Sequence, residues 1–380
     1  MNGIVWFFAT MSVSCLFGWT AHKLKLPMGA MIGAMVATAA FNLITDNALF
    51  YNEVRIALQM STGAMIGCRI GMDEAKSMKT IILPTSVMLA GMVILNLSFG
   101  AAVYRFSRLD VATALFAVTP GGASDMAMIS ADLGANTAYV AILQVIRIII
   151  IITVLPPVFK SIVKKTHYGG VLSITRTDEA SQTALEHEAQ LSLGSKEDRS
   201  HPHDKLETEP FRYNRREIIL LAGLFICSAA GGFALYILDV PAGAIIGAML
   251  AGITYTIIFG KAVFPKKIRP WQQILSGTYI GTCIDKATVE SMDELLVPVL
   301  IMLAGIIIFV FLFSYIVHKM TKLDFVTSLL ACTPGGITEM SLLSEEFGAD
   351  TPKIAIMQTV RLVLVIMLFP GMITVVLHFF

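Results

Sequence analysis

Two copies of a helix-breaking motif lie among the apolar stretches of this sequence. The first reads TPGGASDM from residue 119, and the second reads TPGGITEM from residue 333. Proline removes a backbone donor and glycine adds backbone freedom, so neither motif continues a regular helix. In hydrocarbon the freed backbone groups need partners, and such a break persists only where it faces protein or a wet cavity. The two motifs therefore predict a polar pocket inside a membrane.

A carboxylate follows each motif, Asp125 in the first copy and Glu339 in the second. The chain register places both in the first turn of a helix that restarts after the glycines. There the backbone amides favour an anion and the helix dipole favours a negative side chain, so helix capping is one interpretation. Binding of a coupling proton or cation is the other, because carboxylates inside membranes are costly and usually functional.

A glutamine and an arginine that share one helix face form a second unusual pair, at Gln144 and Arg147 and again at Gln358 and Arg361. An arginine within an apolar run needs a partner. Three interpretations remain open: an ion pair with one of the carboxylates, bidentate binding of an anionic substrate, or snorkelling of the side chain to the membrane surface.

The composition is that of a polytopic membrane protein. Of the 380 residues, 56% are hydrophobic and 14% are charged, whereas soluble domains contain about 25% charged residues. The net charge of +1 indicates no nucleic-acid partner. The cysteines lie in apolar surroundings without a CxxC pair, which favours packing over disulfides or metal binding. They are Cys15, Cys68, Cys227, Cys283 and Cys332.

The elements that must position these residues occur twice, at a fixed offset. LPMGAMIGAM begins at Leu26 and VPAGAIIGAM begins at Val240, and 240 − 26 = 214. The two TPGG motifs (333 − 119) and the two arginines (361 − 147) give the same difference. A duplication without gaps predicts one membrane unit present twice. We assign repeat 1 to residues 1–159, a polar linker to 160–216 and repeat 2 to 217–380.

The charges of equivalent loops predict that the two repeats are inverted. The first loop of repeat 1 carries Lys23 and Lys25, whereas its counterpart carries only Asp239. In the second loop the bias is opposite, with Lys266 and Lys267 in repeat 2. Because basic loops face the cytoplasm, the linker is predicted to be cytoplasmic and both termini to lie outside, with the first apolar segment retained as a membrane span.

Inversion requires an odd number of crossings, but repeat 1 offers six apolar segments. They lie near residues 3–21, 27–45, 55–71, 80–104, 110–131 and 136–159. We therefore expect five of them to cross and one to be re-entrant or too short to cross. The sequence leaves two candidates for the re-entrant segment, 55–71 and 110–131.

The paired LPxGAxIGAM and TPGG…QxxR blocks resemble the AbrB family of duplicated bacterial membrane proteins. Its members are labelled as regulators of aidB expression or as ammonia monooxygenases. The family is distantly similar to the cation/proton antiporter and anion transporter superfamily, which implies crossed, discontinuous helices and a homodimer. The histidines form no cluster within the apolar segments, so the residues do not favour a copper or iron monooxygenase. A direct role on DNA is not favoured either, because the linker lacks helix-turn-helix spacing.

These observations predict an all-α, inverted-repeat secondary transporter in the bacterial inner membrane, with no enzymatic activity and no cofactor. It would move a small metabolite, an anion being favoured over a cation, with a proton or a sodium ion as the coupling ion. The alternative is a membrane sensor or scaffold whose linker recruits a cytoplasmic partner. The candidate binding residues are Thr119, Pro120, Gly121, Gly122, Ser124, Asp125, Gln144, Arg147, Thr333, Pro334, Gly335, Gly336, Thr338, Glu339, Gln358 and Arg361.

Overall fold

The computed structural model describes residues 2–24, 28–174, 215–260, 268–321, 323–336, 340, 343–344 and 347–379. Within these ranges the chain is helical and contains no β-strand. The predicted linker lies largely outside the described residues, as do Lys25, Lys266, Lys267, Thr338 and Glu339. Among the described residues, six helices are long and apolar enough to cross a membrane. The prediction of an all-α polytopic membrane protein is confirmed.

The helices of the first half come in the order that the apolar segments predict. They are α1 (Asn2–Lys23), α2 (Gly29–Thr45), α3 (Asn52–Gly67), α4 (Met72–Phe106), α5 (Val111–Val118), α6 (Ala123–Asp132) and α7 (Thr137–Ile174). The fifth apolar segment is thus divided into two short helices, and the break between them is the TPGG motif.

The described helices of the second half follow in the same order, and most of them begin or end at equivalent positions. They are α8 (Arg215–Ile237), α9 (Gly243–Phe259), α10 (Ile268–Thr282), α11 (Lys286–Glu290), a 3-10 helix (Met292–Leu295), α12 (Leu296–Met320), α13 (Phe325–Cys332) and α14 (Thr351–Leu377). The starts of α2 and α9 differ by 243 − 29 = 214, and those of α7 and α14 by 351 − 137 = 214.

Glycines allow two equivalent pairs of helices to pack closely. A Cβ on Gly63 of α3 would lie 2.5 Å from the carbonyl oxygen of Ile245 in α9. A Cβ on Gly277 of α10 would lie 2.2 Å from the carbonyl oxygen of Met31 in α2. Only glycine fits such an approach between helix backbones. The halves therefore interlock, with α3 against α9 and α10 against α2.

The segment from Asp110 to Asn136 is a helical hairpin, hereafter hairpin 1 (residues 110–136). Asp110 caps α5 by accepting a hydrogen bond from the amide of Thr113 (3.0 Å). After α6, the amide of Asn136 donates to Thr113 Oγ1 (2.8 Å). Two collinear helices of this length would place these residues roughly 30 Å apart, so the chain must turn back on itself. The re-entrant segment is therefore 110–131 and not 55–71.

The second half contains the corresponding hairpin 2 (residues 324–350). Asp324 caps α13 through the amide of Thr327 (2.9 Å), and the amide of Asp350 donates to Thr327 Oγ1 (3.1 Å). The returning arm of hairpin 2 is only partly within the described residues. We call the breaks tip 1 (residues 119–122) and tip 2 (residues 333–336).

The two hairpins enter from opposite ends of α12. At the base of hairpin 1, Arg108 pairs with Glu294 (3.0 Å) and the Tyr139 hydroxyl contacts the Ser291 hydroxyl, just before α12 begins. At its other end, α12 leads directly into Asp324 and hairpin 2. The 25 residues of α12 span about 37 Å. We call the end at hairpin 1 side A and the end at hairpin 2 side B.

Other contacts establish the direction of the remaining helices. Arg55, near the start of α3, pairs with Asp132 at the base of hairpin 1 (2.7 Å), so α3 begins at side A. Phe7, near the start of α1, packs against Tyr51 in the loop before α3, with ring centroids 5.1 Å apart. Each half then passes between the sides five times, in addition to its hairpin. Both ends of the described chain lie at side A.

Candidate functional site

Each tip is a tight turn around its proline. In tip 1 the amide of Gly121 donates to the carbonyl of Thr119 across Pro120 (2.9 Å). In tip 2 the amide of Gly335 donates to the carbonyl of Thr333 across Pro334 (2.8 Å). These bonds reverse the chain and leave the last carbonyls of α5 and α13 without their intrahelical partners.

The glutamine and arginine of α7 supply partners for tip 1. Gln144 Nε2 donates to the carbonyls of Phe116 (2.8 Å) and Thr119 (2.9 Å). The Arg147 guanidinium donates to the carbonyls of Thr119 (2.7 Å) and Gly121 (2.6 Å). A cation is stabilised at these carbonyls because the C-terminal end of a helix carries a partial negative charge.

The same arrangement occurs at tip 2. Gln358 Nε2 donates to the carbonyls of Leu330 (2.9 Å) and Thr333 (3.0 Å). The Arg361 guanidinium donates to the carbonyls of Thr333 (2.8 Å) and Gly335 (3.2 Å). Both arginines are buried, which excludes snorkelling to a membrane surface.

Within the described residues, the partners of both arginines are backbone carbonyls. Among the described residues, neither Arg147 nor Arg361 forms an ion pair with an acidic side chain. Sequence reasoning left this interpretation out, because the spacing of a residue does not show which carbonyls a folded hairpin brings to it. The guanidinium groups hold the tips in shape, and only their Nε atoms lack a hydrogen-bond partner.

Asp125 lies in the first turn of α6, as predicted, and is 7% exposed. The residue that caps α6 is Gly122, without a side-chain hydrogen bond. The Ser124 hydroxyl donates to Asp125 Oδ1 (3.2 Å). A Cβ on Gly122 would lie 2.3 Å from Asp125 Oδ2, so the carboxylate folds back over the tip. Glu339 and Thr338 lie outside the described residues, and their predicted roles remain predictions.

Both tips line one cavity of about 160 Å³, hereafter the central cavity. Thr119, Pro120, Gln144 and Thr333 lie buried behind this surface. The predicted residues that line the cavity are Gly121, Gly122, Ser124, Asp125, Arg147, Pro334, Gly335, Gly336, Gln358 and Arg361.

The central cavity extends from the tips toward side B. Its lining includes Arg69, just after the end of α3, and Arg269, at the start of α10. Gln272 and Ser276 of α10 and Thr62 of α3 complete its polar wall. Sequence reasoning missed this wall. One signal was available for Arg69, since the equivalent residue of the other half is a cysteine (283 − 69 = 214).

Asn96 of α4 is a further residue that the sequence did not single out. Its Nδ2 donates to the carbonyl of Leu115 (2.9 Å) and to Thr119 Oγ1 (2.8 Å), directly behind tip 1. It is fully buried. The equivalent residue of α12 is Val310 (310 − 96 = 214), so this support exists in the first half alone.

Comparison with known proteins gives one family. The family model "Transition state regulatory protein AbrB" matches residues 1–163 and 175–377. The chain is 27% identical to "Uncharacterized protein YhjN" of Bacillus subtilis (strain 168), over 96% of this chain and 91% of the relative. It is 23% identical to "Putative regulator AbrB" of Escherichia coli (strain K12), over 91% of this chain and 89% of the relative. No solved structure matches the chain.

Proposed function

We propose that this chain, which belongs to the AbrB family, is a secondary active transporter of a small anionic metabolite. The coupling ion would be a proton or a sodium ion, and the substrate would bind in the central cavity. One observation carries the proposal: two re-entrant hairpins that enter from opposite ends place their broken tips on the same cavity.

The depth of the tips supports a site near the middle of a bilayer. Arg147 contacts tip 1 and lies 147 − 137 = 10 residues into α7. Ten helical residues rise about 15 Å, which is half of a hydrocarbon core of about 30 Å. Arg361 lies equally far into α14, which starts at side B. Transporters with inverted repeats place broken helices at the midplane in this way.

The chemistry of the lining favours an anion. The start of α6 presents its backbone amides beside Gly122, and amides at a helix N-terminus attract negative charge. Arg69 and Arg269 add positive charge to the wall. The lining offers no set of His, Cys, Asp and Glu ligands for a metal within the described residues. We propose that the substrate is moved without a covalent reaction. The two tips, whose carbonyls are bonded to glutamine and arginine side chains, would provide a fixed polar surface for it.

We further propose that the linker and side B face the cytoplasm and that the termini lie outside. Lys23 at the end of α1, Lys319 at the end of α12 and Arg269 at the start of α10 lie at side B. Short loops rich in Lys and Arg remain in the cytoplasm. The family resemblance adds the expectation of a homodimer in the bacterial inner membrane.

Reconstitution into proteoliposomes tests the transport proposal. Purified protein is screened with a panel of labelled metabolites, and substrate-dependent movement of protons or sodium is recorded. We expect Asp125→Asn to abolish coupled flux, because the amide can neither ionise nor carry the coupling ion. Asp239→Asn, the same change at an exposed loop residue, is the matched control and should leave flux unchanged.

One result would reject the role of Asp125, and another would reject the transport function. Coupled flux that is equal in wild type and Asp125→Asn would remove the ion-binding role of Asp125. Absence of flux for the whole panel, together with a cellular phenotype that is lost on deletion of residues 175–214, would favour the sensor or scaffold alternative.

A further inference from the structure

Asp125 and Arg69 share the central cavity without touching. Asp125 projects from the first turn of α6, and Arg69 follows the end of α3. They form no direct ion pair, yet the charge of Arg69 acts on the Asp125 carboxylate. A group that enters the cavity between them would therefore interact with both.

Four arginines line the cavity together with Asp125. They are Arg69 beside α3, Arg269 on α10, Arg147 on α7 and Arg361 on α14. Hairpin 2 contributes Pro334 to Gly336, which carry no charge, and its Glu339 lies outside the described residues. Among the described lining residues, Asp125 is the only acidic group. The formal charge of that lining is 4 − 1 = +3 when Asp125 is ionised.

Buried polar atoms without a partner add the second observation. Arg361 Nε and Arg147 Nε have no acceptor, and both residues are at most 5% exposed. Gln272 Oε1 and Gln358 Oε1 have no donor, on residues that are at most 6% exposed. All four residues line the cavity. Buried polar groups normally have hydrogen-bond partners, so these four atoms leave unsatisfied hydrogen-bonding capacity in residues of the cavity wall.

We propose that the central cavity binds a small soluble anion between Arg69 and the first turn of α6, and that Asp125 takes up one proton with each anion. This inference rests on the proposed transport function. The anion and an ionised Asp125 would be two negative charges that compete for the same arginine. Like charges at one site favour the protonated form of the carboxyl group. The proton comes from the solvent on the side from which the anion enters, forms the O–H bond of Asp125, and is released to the solvent when the anion leaves.

The test is equilibrium binding to the full-length chain in nanodiscs of phosphatidylcholine. The probes are acetate, succinate, citrate, sulfate and ethanesulfonate, with putrescine and glycine as a cation and a zwitterion. Sulfate and ethanesulfonate do not titrate between about pH 5 and 8, so any pH dependence belongs to the protein. We expect at least one anion to bind, with a Kd that rises by up to about tenfold for each pH unit above the titration of Asp125.

Variants of Asp125 and Arg69 test the proton-binding and anion-binding roles separately. Asp125→Asn should retain anion binding but lose its pH dependence and the proton uptake that a pH indicator records in weakly buffered solution. Arg69→Gln should weaken anion binding about tenfold, and Arg69→Lys should recover part of the loss because the charge is kept. Arg108→Gln, at an exposed arginine, is the control and should bind as wild type.

Several outcomes overturn the inference. They are binding of none of the anions, binding that does not depend on pH in wild type, and binding that depends on sodium in place of protons. Loss of soluble-anion binding when the nanodiscs contain phosphatidylglycerol would assign the site to a lipid headgroup. Flux of a cation without anion binding would reject this inference but not transport. Anion binding with proton uptake but without flux would reject the transport function alone.

Discussion

Hairpin 1 and hairpin 2 have the same tip sequence but are supported differently. At tip 1 the guanidinium of Arg147 bonds to the Gly121 carbonyl at 2.6 Å, whereas at tip 2 the equivalent bond from Arg361 to Gly335 is 3.2 Å long. Asn96 adds two hydrogen bonds behind tip 1. The second half has an apolar valine in that position.

This comparison distinguishes the hydrogen-bonding residues that both hairpins share from those that support hairpin 1 in addition. The requirement is the glutamine and arginine that bond to the freed carbonyls, because both halves contain them and no water in hydrocarbon could replace them. The addition is Asn96, together with Arg69 at the cavity, whose counterparts are Val310 and Cys283. Most described helices of the two halves thus recur at one offset, whereas their polar residues differ.

The largest expected effect comes from removal of a tip arginine. Arg147→Ala leaves the Gly121 carbonyl without its donor, and hydrogen bonds to a charged group contribute about 1.5–3 kcal/mol each. With two such bonds lost, we expect destabilisation of about 3 kcal/mol or more. Arg361→Ala should cost less, because one of its bonds is longer. Thermal unfolding of the purified protein in detergent measures both.

Arg105→Ala, at an exposed residue near the end of α4, is the matched control. Arg147→Lys should be intermediate, because an ammonium keeps the charge but cannot reach both carbonyls in the fixed geometry of a guanidinium. If Arg147→Ala unfolded at the same temperature as Arg105→Ala, the proposed role of Arg147 in stabilising tip 1 would be wrong.

A smaller effect on stability should follow when Asn96 is replaced by valine, the residue at the equivalent position of the second half. Asn96→Val removes the bonds to the Leu115 carbonyl and to Thr119 Oγ1, but it also removes an Oδ1 atom that has no partner. We expect a net loss of about 1 kcal/mol, measured by the same unfolding assay. Unchanged stability would show that the additional amide does not support tip 1.

The smallest effect concerns the bases of the hairpins, where Asn136 in hairpin 1 corresponds to Asp350 in hairpin 2. Hydrogen bonding to Lys353 holds the pKa of Asp350 below its ordinary value, and the ion pair measures 2.5 Å. A lowered folded-state pKa stabilises the protein above the unfolded value of about 3.9. This contribution is lost as the pH falls through the folded pKa.

The Asp350→Asn variant should therefore lose less stability on acidification than wild type, by under about 1 kcal/mol as for other exposed pairs. The reciprocal Asn136→Asp variant should gain a smaller acid dependence at hairpin 1, because the residue equivalent to Lys353 is Tyr139, which offers only its backbone amide. Unfolding curves at neutral pH and at a pH well below about 3.9, where the folded-state carboxyl group is also protonated, provide the comparison. Identical acid dependence in Asp350→Asn and wild type would contradict the assignment.

Much of the fold could be predicted from the sequence because it depends on local properties. Apolar runs predict the long helices, and Pro120 with its two glycines predicts the break after Val118. The fixed offset of 214 predicts that equivalent elements recur. The choice between 55–71 and 110–131 as the re-entrant segment could not be made, since both are interrupted by small and polar residues. The hydrogen bond from Asn136 to Thr113 decided it.

The candidate site was predicted less completely. The tips and Asp125 were found because an intramembrane break and a carboxylate are unusual in any context. Arg69 and Asn96 were not found, because a single arginine at a helix end and a single asparagine in an apolar helix have many ordinary explanations. Their importance arises only from what lies opposite them in space.

By itself the sequence determined the membrane class, the duplication and the positions at which two helices must break, since these depend on composition and on the chemistry of proline and glycine. The tertiary structure decided that each break is the tip of a returning hairpin and that the two tips share one cavity. It also decided that the buried arginines bond to backbone carbonyls. Such pairings are set by the packing of segments distant in the chain, and no spacing along the sequence records them.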